Sequence, residues 1–331
     1  MKLPHGVDAL IDPEPLARLS PAATRAATHR LAAGYPNTPL PEIHDELAAV
    51  RRSALYWSQD RDHLDGERGD QLTAALACGL YAWARHDLGD TRTALAVAQA
   101  GLISAIVDAR HPGAEVWLRG VQSLIAYRAG WVHESLHYAQ SGLSVQDDEI
   151  GTATIWLHSL TALTQAVLGD ALAASAALSA GRHVRALSRL DDLDRIGGLL
   201  HFGQARQDAY EAQARAFITG SERSTIEYAE SAIGAFESGG SPNRSVHDEM
   251  SARVAAALAY ANLDEIEATA EALRPVLRLD PAWRVDGLRS SMMLVHQRLR
   301  RPFRAREARV RELQKDIEGF CQMPLFIDSS A

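Results

Sequence analysis

The chain has 331 residues, a formal net charge of −8 and a hydrophobic content of 47%. That length allows one elongated array or two compact domains, and the acidic balance, with Lys2 and Lys315 the only lysines, argues against sequence-independent nucleic-acid binding. Cys78 and Cys321 are too few and too far apart for a disulfide framework, no apolar run follows the Met1–Gly6 opening, and no stretch nears eighteen uninterrupted apolar residues, so the chain reads as soluble and cytoplasmic with no membrane segment.

Alanine and leucine supply much of the apolar content and sustained β-branched runs are scarce, a balance that favours helix. Residues 1–20 carry Pro4, Pro13 and Pro15 and read as an extended arm. Ser20-Pro21 then offers an N-cap followed by proline at the first helical position; this helix runs to Ala33, where Gly34, Pro36 and Pro39 stop it. Pro41 opens a second helix through Leu47, Val50, Leu55 and Trp57, with Arg51 and Arg52 outside. Asp60–Gly69 is a charged loop, and residues 21–69 thus form an N-terminal helical pair and loop.

From Asp70 the chain repeats itself. Leu88-Gly89-Asp90, Ala94-Leu95, Ala98-Gln99 and Gly101-Leu102 return 41 positions later (130 − 89) as Ala129-Gly130-Trp131, Ser135-Leu136, Ala139-Gln140 and Gly142-Leu143. The pattern comes back at Gly169 with Ala174 and Gly181, and at Gly220 with Thr225 and Ala232. A self-similar period near forty residues marks a helical-repeat array. In each copy a glycine ends one helix in the left-handed conformation, and small residues on the next helix let it lie close to its partner. Ala82, Ser123 and Ala162 occupy one equivalent place in the preceding helices.

The first helices of the repeats span roughly 71–88, 113–129, 150–168 and 199–219, and the second helices 90–109, 131–146, 170–188 and 221–237. Residues 70–238 thereby form tetratricopeptide-like repeats. Gly239-Gly240-Ser241-Pro242-Asn243 is the clearest break, and residues 239–331 hold a C-terminal repeat pair (245–261 and 264–278) and capping helices. Asp280-Pro281 starts a helix through Leu299, Pro302 interrupts it, and 303–320 closes the array. In that last helix Val310, Leu313, Ile317 and Phe320 form an apolar stripe against a charged back. The fold class is all-α, a right-handed superhelix of antiparallel helix pairs.

One stretch suggests catalysis. His133-Glu134-Ser135-Leu136-His137 is H-E-x-x-H on a predicted helix, where histidines at i and i+4 can share a zinc and Glu134 can act as general base on metal-bound water. Against it, the repeat register puts His133 level with Arg92, Leu172 and Arg223 and His137 level with Ala96, Ala176 and Glu227, types expected on a solvated outer side, and no third ligand is signalled. The remaining histidines lack ligand spacing, no phosphate-binding loop or nucleophile motif occurs, and no cofactor is implied. The basic run from Arg298 to Lys315 is interrupted by Glu307, Glu312 and Asp316 at helical spacing, as in a salt-bridged cap.

A second set is aromatic. Trp117 and Trp156 hold one equivalent position near the start of their first helices, and Trp83, with His86 and Tyr127, falls on later turns of the same face, with Arg128 beside Tyr127. First helices of such repeats line the inner surface, where these arrays bind peptides or ligands; the competing use of each ring is packing between adjacent repeats. Trp83, His86, Trp117, Tyr127, Arg128 and Trp156 are therefore the candidate ligand-binding residues.

From Leu19 to Phe320 the chain resembles the carboxy-terminal helical region of actinobacterial XRE-type (Cro/repressor-like) transcriptional regulators. The likeness is most specific in Glu271-Ala272-Leu273-Arg274-Pro275-Val276-Leu277 and Asp280-Pro281-Ala282-Trp283-Arg284-Val285-Asp286-Gly287-Leu288, with Gly197-Gly198-Leu199 ahead of a helix. The resemblance implies a tetratricopeptide-like module that senses a ligand or partner and self-associates, a homodimer by analogy. Fewer than twenty residues precede the helical region, against roughly sixty for a helix-turn-helix domain, so direct operator binding by this chain is not expected. The sequence therefore points to a non-enzymatic sensor or adaptor taking a small molecule, peptide or protein partner in its concave groove, with a zinc-dependent hydrolase or lyase built on His133, Glu134 and His137 as the alternative.

Overall fold

Ser20 begins the first helix as its residue type requires: its hydroxyl accepts the Ala23 amide at the N-cap, and Pro21 follows at N1. The computed structural model describes residues 19–59, 67–145, 151–239, 244–300 and 308–322. Among these it holds fifteen α-helices and no strand, so the protein is all-α. Most of the expected arm 1–20 (residues 1–18), most of the charged loop (60–66), the interior of the Gly239–Asn243 break (240–243) and Pro302 lie outside the described residues.

Helices α1 (Pro21–Gly34) and α2 (Leu40–Gln59) form the N-terminal pair. Within it Arg51, expected outside, is buried with its guanidinium 4.7 Å from the centre of the Tyr81 ring. Five hairpins follow. They are α3 (Glu67–Asp87) with α4 (Thr91–Ile103), α5 (Pro112–Arg128) with α6 (Val132–Leu143), α7 (Thr152–Val167) with α8 (Ala171–Leu187), α10 (Gln204–Arg215) with α11 (Glu222–Ser238), and α12 (Val246–Asn262) with α13 (Ile266–Leu277). A short α9 (Asp192–Ile196) precedes α10, and α14 (Asp286–Leu299) and α15 (Ala308–Gln322) end the described chain.

The repeated glycines turn the hairpins. Gly89, Gly130, Gly169 and Gly220 have φ of +83°, +78°, +85° and +81°, and at the first three an amide beyond the helix reaches back five residues, as from Asp90 to the Arg85 carbonyl at 2.9 Å. The fifth hairpin makes the same turn without glycine: Asp264 sits at φ +69° and Glu265 bonds back to Tyr260. Five residues after each turn, Ala94, Ser135, Ala174, Thr225 and Thr269 are all fully buried. Behind them lie Ala82, Ser123 and Ala162, each without exposed surface. The hydroxyls link hairpins too: Ser135 lies 3.1 Å from both Ser123 and Thr164.

Three helices depart from expectation. The first helix expected at 199–219 is shorter: Gly197 and Gly198 turn the backbone at φ +85° and +56°, a 3-10 turn follows at Gly198–Leu200, and α10 runs only from Gln204 to Arg215. The preceding α9 is fixed by a capping box on Asp191 and by Asp194, whose carboxylate takes the amide and hydroxyl of Thr152 at the start of α7. The second helix expected at 90–109 is α-helical to Ile103 and continues as a π-helical turn, Ser104–Ala109. By length and composition Thr91–Ala109 is apolar enough to cross a membrane; Ala94, Val97, Ala98 and Leu102 are buried, while Ile103, Ile106 and Val107 are exposed. The helix expected from Asp280 is broken at Arg284 and Val285; Arg284 turns its guanidinium back to the Leu279 carbonyl at 2.7–2.9 Å, and α14 begins at Asp286. The final stripe is as expected: Val310, Leu313, Ile317 and Phe320 are buried on α15, each worth about 1.5–3 kcal/mol in apolar burial.

First helices touch in order, α3 to α5, α5 to α7, α7 to α10, α10 to α12 and α12 to α14, and α14 touches α3 again. The contact order thus closes. Helices α4, α6, α11 and α13 each pack against the first helix of their own hairpin, and α4, α6 and α11 also against the next. The N-terminal pair enters from one end: α1 packs on α3, on α9 and on the 3-10 turn Gly198–Leu200, while the connector Tyr35–Asn37 reaches α12.

Candidate ligand-binding site

Because α14 comes back to α3, the C-terminal ends of α3 and α5 face the N-terminal ends of α10, α12 and α14 across a cavity of about 60 Å³. Helical spacing decides which side chains reach it. From α3 come Trp83, His86 and Asp87, from α5 Leu124 and Arg128, four residues apart on one face. Arg206 and Tyr210 of α10, Asp248 and Ser251 of α12, and Gly287 and Leu288 of α14 complete the far wall, and Tyr35 and Pro36 of the N-terminal connector close one side.

The wall is unusually polar for the middle of a protein. Tyr35 donates to Asp87 at 2.7 Å. Burial, together with Asp286 and Asp248, pushes the Asp87 carboxyl up to about 7 against the pull of Tyr35 and Arg128. Beside it, burial and then Arg128 drive His86 down to about 3, so its imidazole is neutral near pH 7. His247 is likewise lowered, by burial first, and meets the Trp283 carbonyl at 3.2 Å. Arg206 is matched: it donates to Asp248 at 2.9 Å and to the His201 carbonyl, and Ser245 donates to the same carboxylate. Arg128 differs. Its hydrogen-bond acceptors are neutral, the Gly287 carbonyl at 3.0 Å and the Ser291 hydroxyl at 2.7 Å.

Of the six residues the sequence singled out, Trp83, His86 and Arg128 meet at this cavity. Tyr127 lies one residue from Arg128, its ring centre 5.6 Å from the guanidinium, with its hydroxyl pushed up by burial. Trp117 and Trp156, expected on an open groove, are instead 1% and 2% exposed. Each fills the space above a glycine of the preceding first helix: a Cβ at Gly79 would lie 2.2 Å from the Trp117 ring, and one at Gly120 2.4 Å from the Trp156 ring. Trp117 also donates to the Leu199 carbonyl at 3.1 Å. These two rings therefore pack between hairpins. Trp156 still supports the cavity from behind, stacked on Trp83 at 5.4 Å and 23°.

Tyr35, Asp87, Arg206, Tyr210, His247 and Asp248 were not singled out by the sequence. No local spacing marks them, since their partners stand on helices far apart in the chain. The only hint was that Asp87 follows His86 at a helix end.

The H-E-x-x-H stretch lies on α6 as expected. His133, Glu134 and His137 are exposed, opposite the buried Ser135 and Ala139. His137 has the Tyr138 ring 6.0 Å away. Among the described residues no group of three or more His, Cys, Asp or Glu is placed to hold a metal ion. On α15, Arg309 pairs with Glu312 and Glu267, which is how a salt-bridged cap uses its charges.

No protein-family model, curated protein or solved structure matches the chain. The chemistry of the cavity therefore carries the functional argument. It presents neutral imidazoles, an aromatic wall, a carboxyl near its titration midpoint and one guanidinium with neutral partners, a set suited to selecting a small polar ligand.

Proposed function

We propose that the protein is a non-enzymatic sensor or adaptor, a tetratricopeptide-like right-handed superhelix of helix pairs that takes its ligand on the inner face, working in transcriptional regulation as the XRE-type resemblance implies. The observation that carries this reading is the polar cavity where α3 and α5 meet α10, α12 and α14. Evolution of a scaffold alone gives no reason to keep titratable groups there, because buried polar groups cost stability unless they are matched.

A ligand seated in the cavity touches both early and late helices of the array. Occupancy then biases how the last helices sit on the first ones, and a partner surface outside the ring reads the change by population shift. The test is a thermal-shift screen of metabolites and short peptides against the full chain. A true ligand at a hundredfold excess over its Kd stabilises by about 2.7 kcal/mol, and the shift disappears in His86→Ala when measured from that variant's own midpoint. Hits whose stabilisation survives His86→Ala and Arg128→Gln alike would remove the cavity as the site.

A further inference from the structure

A second opening lies on the same walls. It has a volume of about 280 Å³ and is lined by Phe217, Leu258, Leu294, Gln297 and Arg298. Each of its three apolar residues stands seven positions beyond a residue of the polar cavity: Phe217 after Tyr210, Leu258 after Ser251, Leu294 after Gly287. Seven residues are two helical turns, about 10 Å along the axis. On α12 and α14, then, the polar cavity and the apolar chamber share one face, one above the other, and Phe217 is added from the turn that follows α10. One turn past the cavity, the intervening positions are Ala214, Ala255 and Ser291, all small.

Arg128 stands at the junction. A single nitrogen of its guanidinium, Nη1, donates to both the Gly287 carbonyl and the Ser291 hydroxyl, which stands one turn further along α14 and itself donates to that carbonyl. Two neutral acceptors hold a cation there, and Arg206, the other guanidinium of the cavity, is already matched by Asp248. An incoming carboxylate offers Arg128 charge-assisted, bidentate bonds of roughly twice the strength of those it has. The chamber beyond it is the apolar space that a hydrocarbon tail fills. The chamber, about 280 Å³, lies near the small end of ligand sites, about 300 Å³ upward.

We propose that the ligand is a small amphipathic carboxylate, its anionic head on Arg128 and its hydrocarbon tail in the chamber formed by Phe217, Leu258 and Leu294. The inference rests on the sensor reading above and adds to it the ligand's chemical class. Displacing the Gly287 and Ser291 acceptors also loosens the hold of α5 on α14, which gives the bound head a route to the end of the array.

The probe is octanoate, with octanol and octylammonium as neutral and cationic controls, read by thermal shift and by tryptophan fluorescence, since Trp83 lines the cavity. Octanoate is expected to stabilise the full chain more than either control. Arg128→Gln should weaken octanoate about tenfold or more and leave octanol unchanged. Because Arg128→Gln also removes a helix tie, Leu294→Gln, at a residue already 37% exposed, provides the second arm: it should weaken octanoate severalfold while the midpoint of the free protein stays put. Equal stabilisation by octanoate and octanol, or octanoate binding untouched by either variant, overturns the proposal. If cations or neutral compounds bind with sensitivity to His86→Ala, the sensor reading stands and only the carboxylate class falls.

Discussion

Asp87 is the residue whose surroundings most constrain it, and its chemistry gives a directional expectation. Its native pKa of about 7 lies above the ordinary carboxyl value of 3.8, so between those limits the native state binds more protons than the unfolded chain, and its contribution to stability is lost as pH rises towards and past 7. His86 acts in the opposite sense: with a native value near 3 against 6.5, its contribution grows as pH rises to about 6.5. The two offset each other in the acid range, and Asp87 alone acts above it. Asp87→Asn keeps an acceptor for Tyr35 and removes the titration, so its stability relative to wild type should climb between pH 5 and pH 8 by about 2–4 kcal/mol. Urea midpoints at four pH values check this, and a difference independent of pH would refute it. At the other extreme stand His133 and His137. Both face solvent on α6, and the double change His133→Ala, His137→Ala should shift stability by no more than about 0.5 kcal/mol and leave zinc content, measured by atomic emission on the purified protein, where it was.

Between helices, glycine performs two separable tasks, and substitution tells them apart. At Gly130 an added Cβ meets nothing within 4 Å and only the φ of +78° opposes it, so Gly130→Ala should cost about 1–2 kcal/mol. At Gly198 the φ is +56° and a Cβ would stand 2.0 Å from the Ala32 carbonyl oxygen; the backbone of α1 would have to retreat, and Gly198→Ala should cost clearly more, ~3 kcal/mol or above. Thermal midpoints of the two variants, compared under one condition, decide it. This difference also marks how far the sequence could be read. The hairpin turns were legible because a left-handed turn writes itself as a glycine at a fixed interval, and the buried small residues at Ala94, Ser135, Ala174 and Thr225 followed from the same register. Asp264 escaped because the turn it makes at φ +69° carries no glycine. The late start of the fourth first helix escaped for another reason: Gly197-Gly198 reads as the lead-in to a helix, and the close approach of α1 that holds this turn is a contact made across more than 160 residues. The cavity stayed hidden on the same ground. Helical periodicity names the inward face of each helix, and it grouped Trp83, His86 and Tyr127 on one face with Arg128 beside Tyr127; which inward faces meet depends on α14 returning to α3, and no local pattern encodes that.

Closure gives the molecule a property that a simple row of repeats lacks. In an open array each hairpin depends on its neighbours alone, and the ends fray first. Here α14 touches α3, Arg128 of α5 bonds Gly287 and Ser291 of α14, and Tyr35 ahead of α2 bonds Asp87 of α3, so early and late helices stabilise one another through the polar cavity. Cutting one tie should therefore loosen a distant element more than a sequence neighbour. In Arg128→Ala, amide hydrogens in α14 and α15 are expected to exchange about tenfold faster or more, in keeping with the loss of two hydrogen bonds from a charged donor, while α7 and α8, which lie closer in sequence to residue 128, keep their wild-type protection. Hydrogen exchange read by mass spectrometry separates the outcomes. Faster exchange confined to α5 and α6 would mean that the contacts between α5 and α14 carry no coupling, and the cavity would then be a local feature with no line to the end of the array. Faster exchange in α14 with α7 and α8 unmoved would establish the physical link that a ligand on Arg128 needs in order to be felt elsewhere in the molecule.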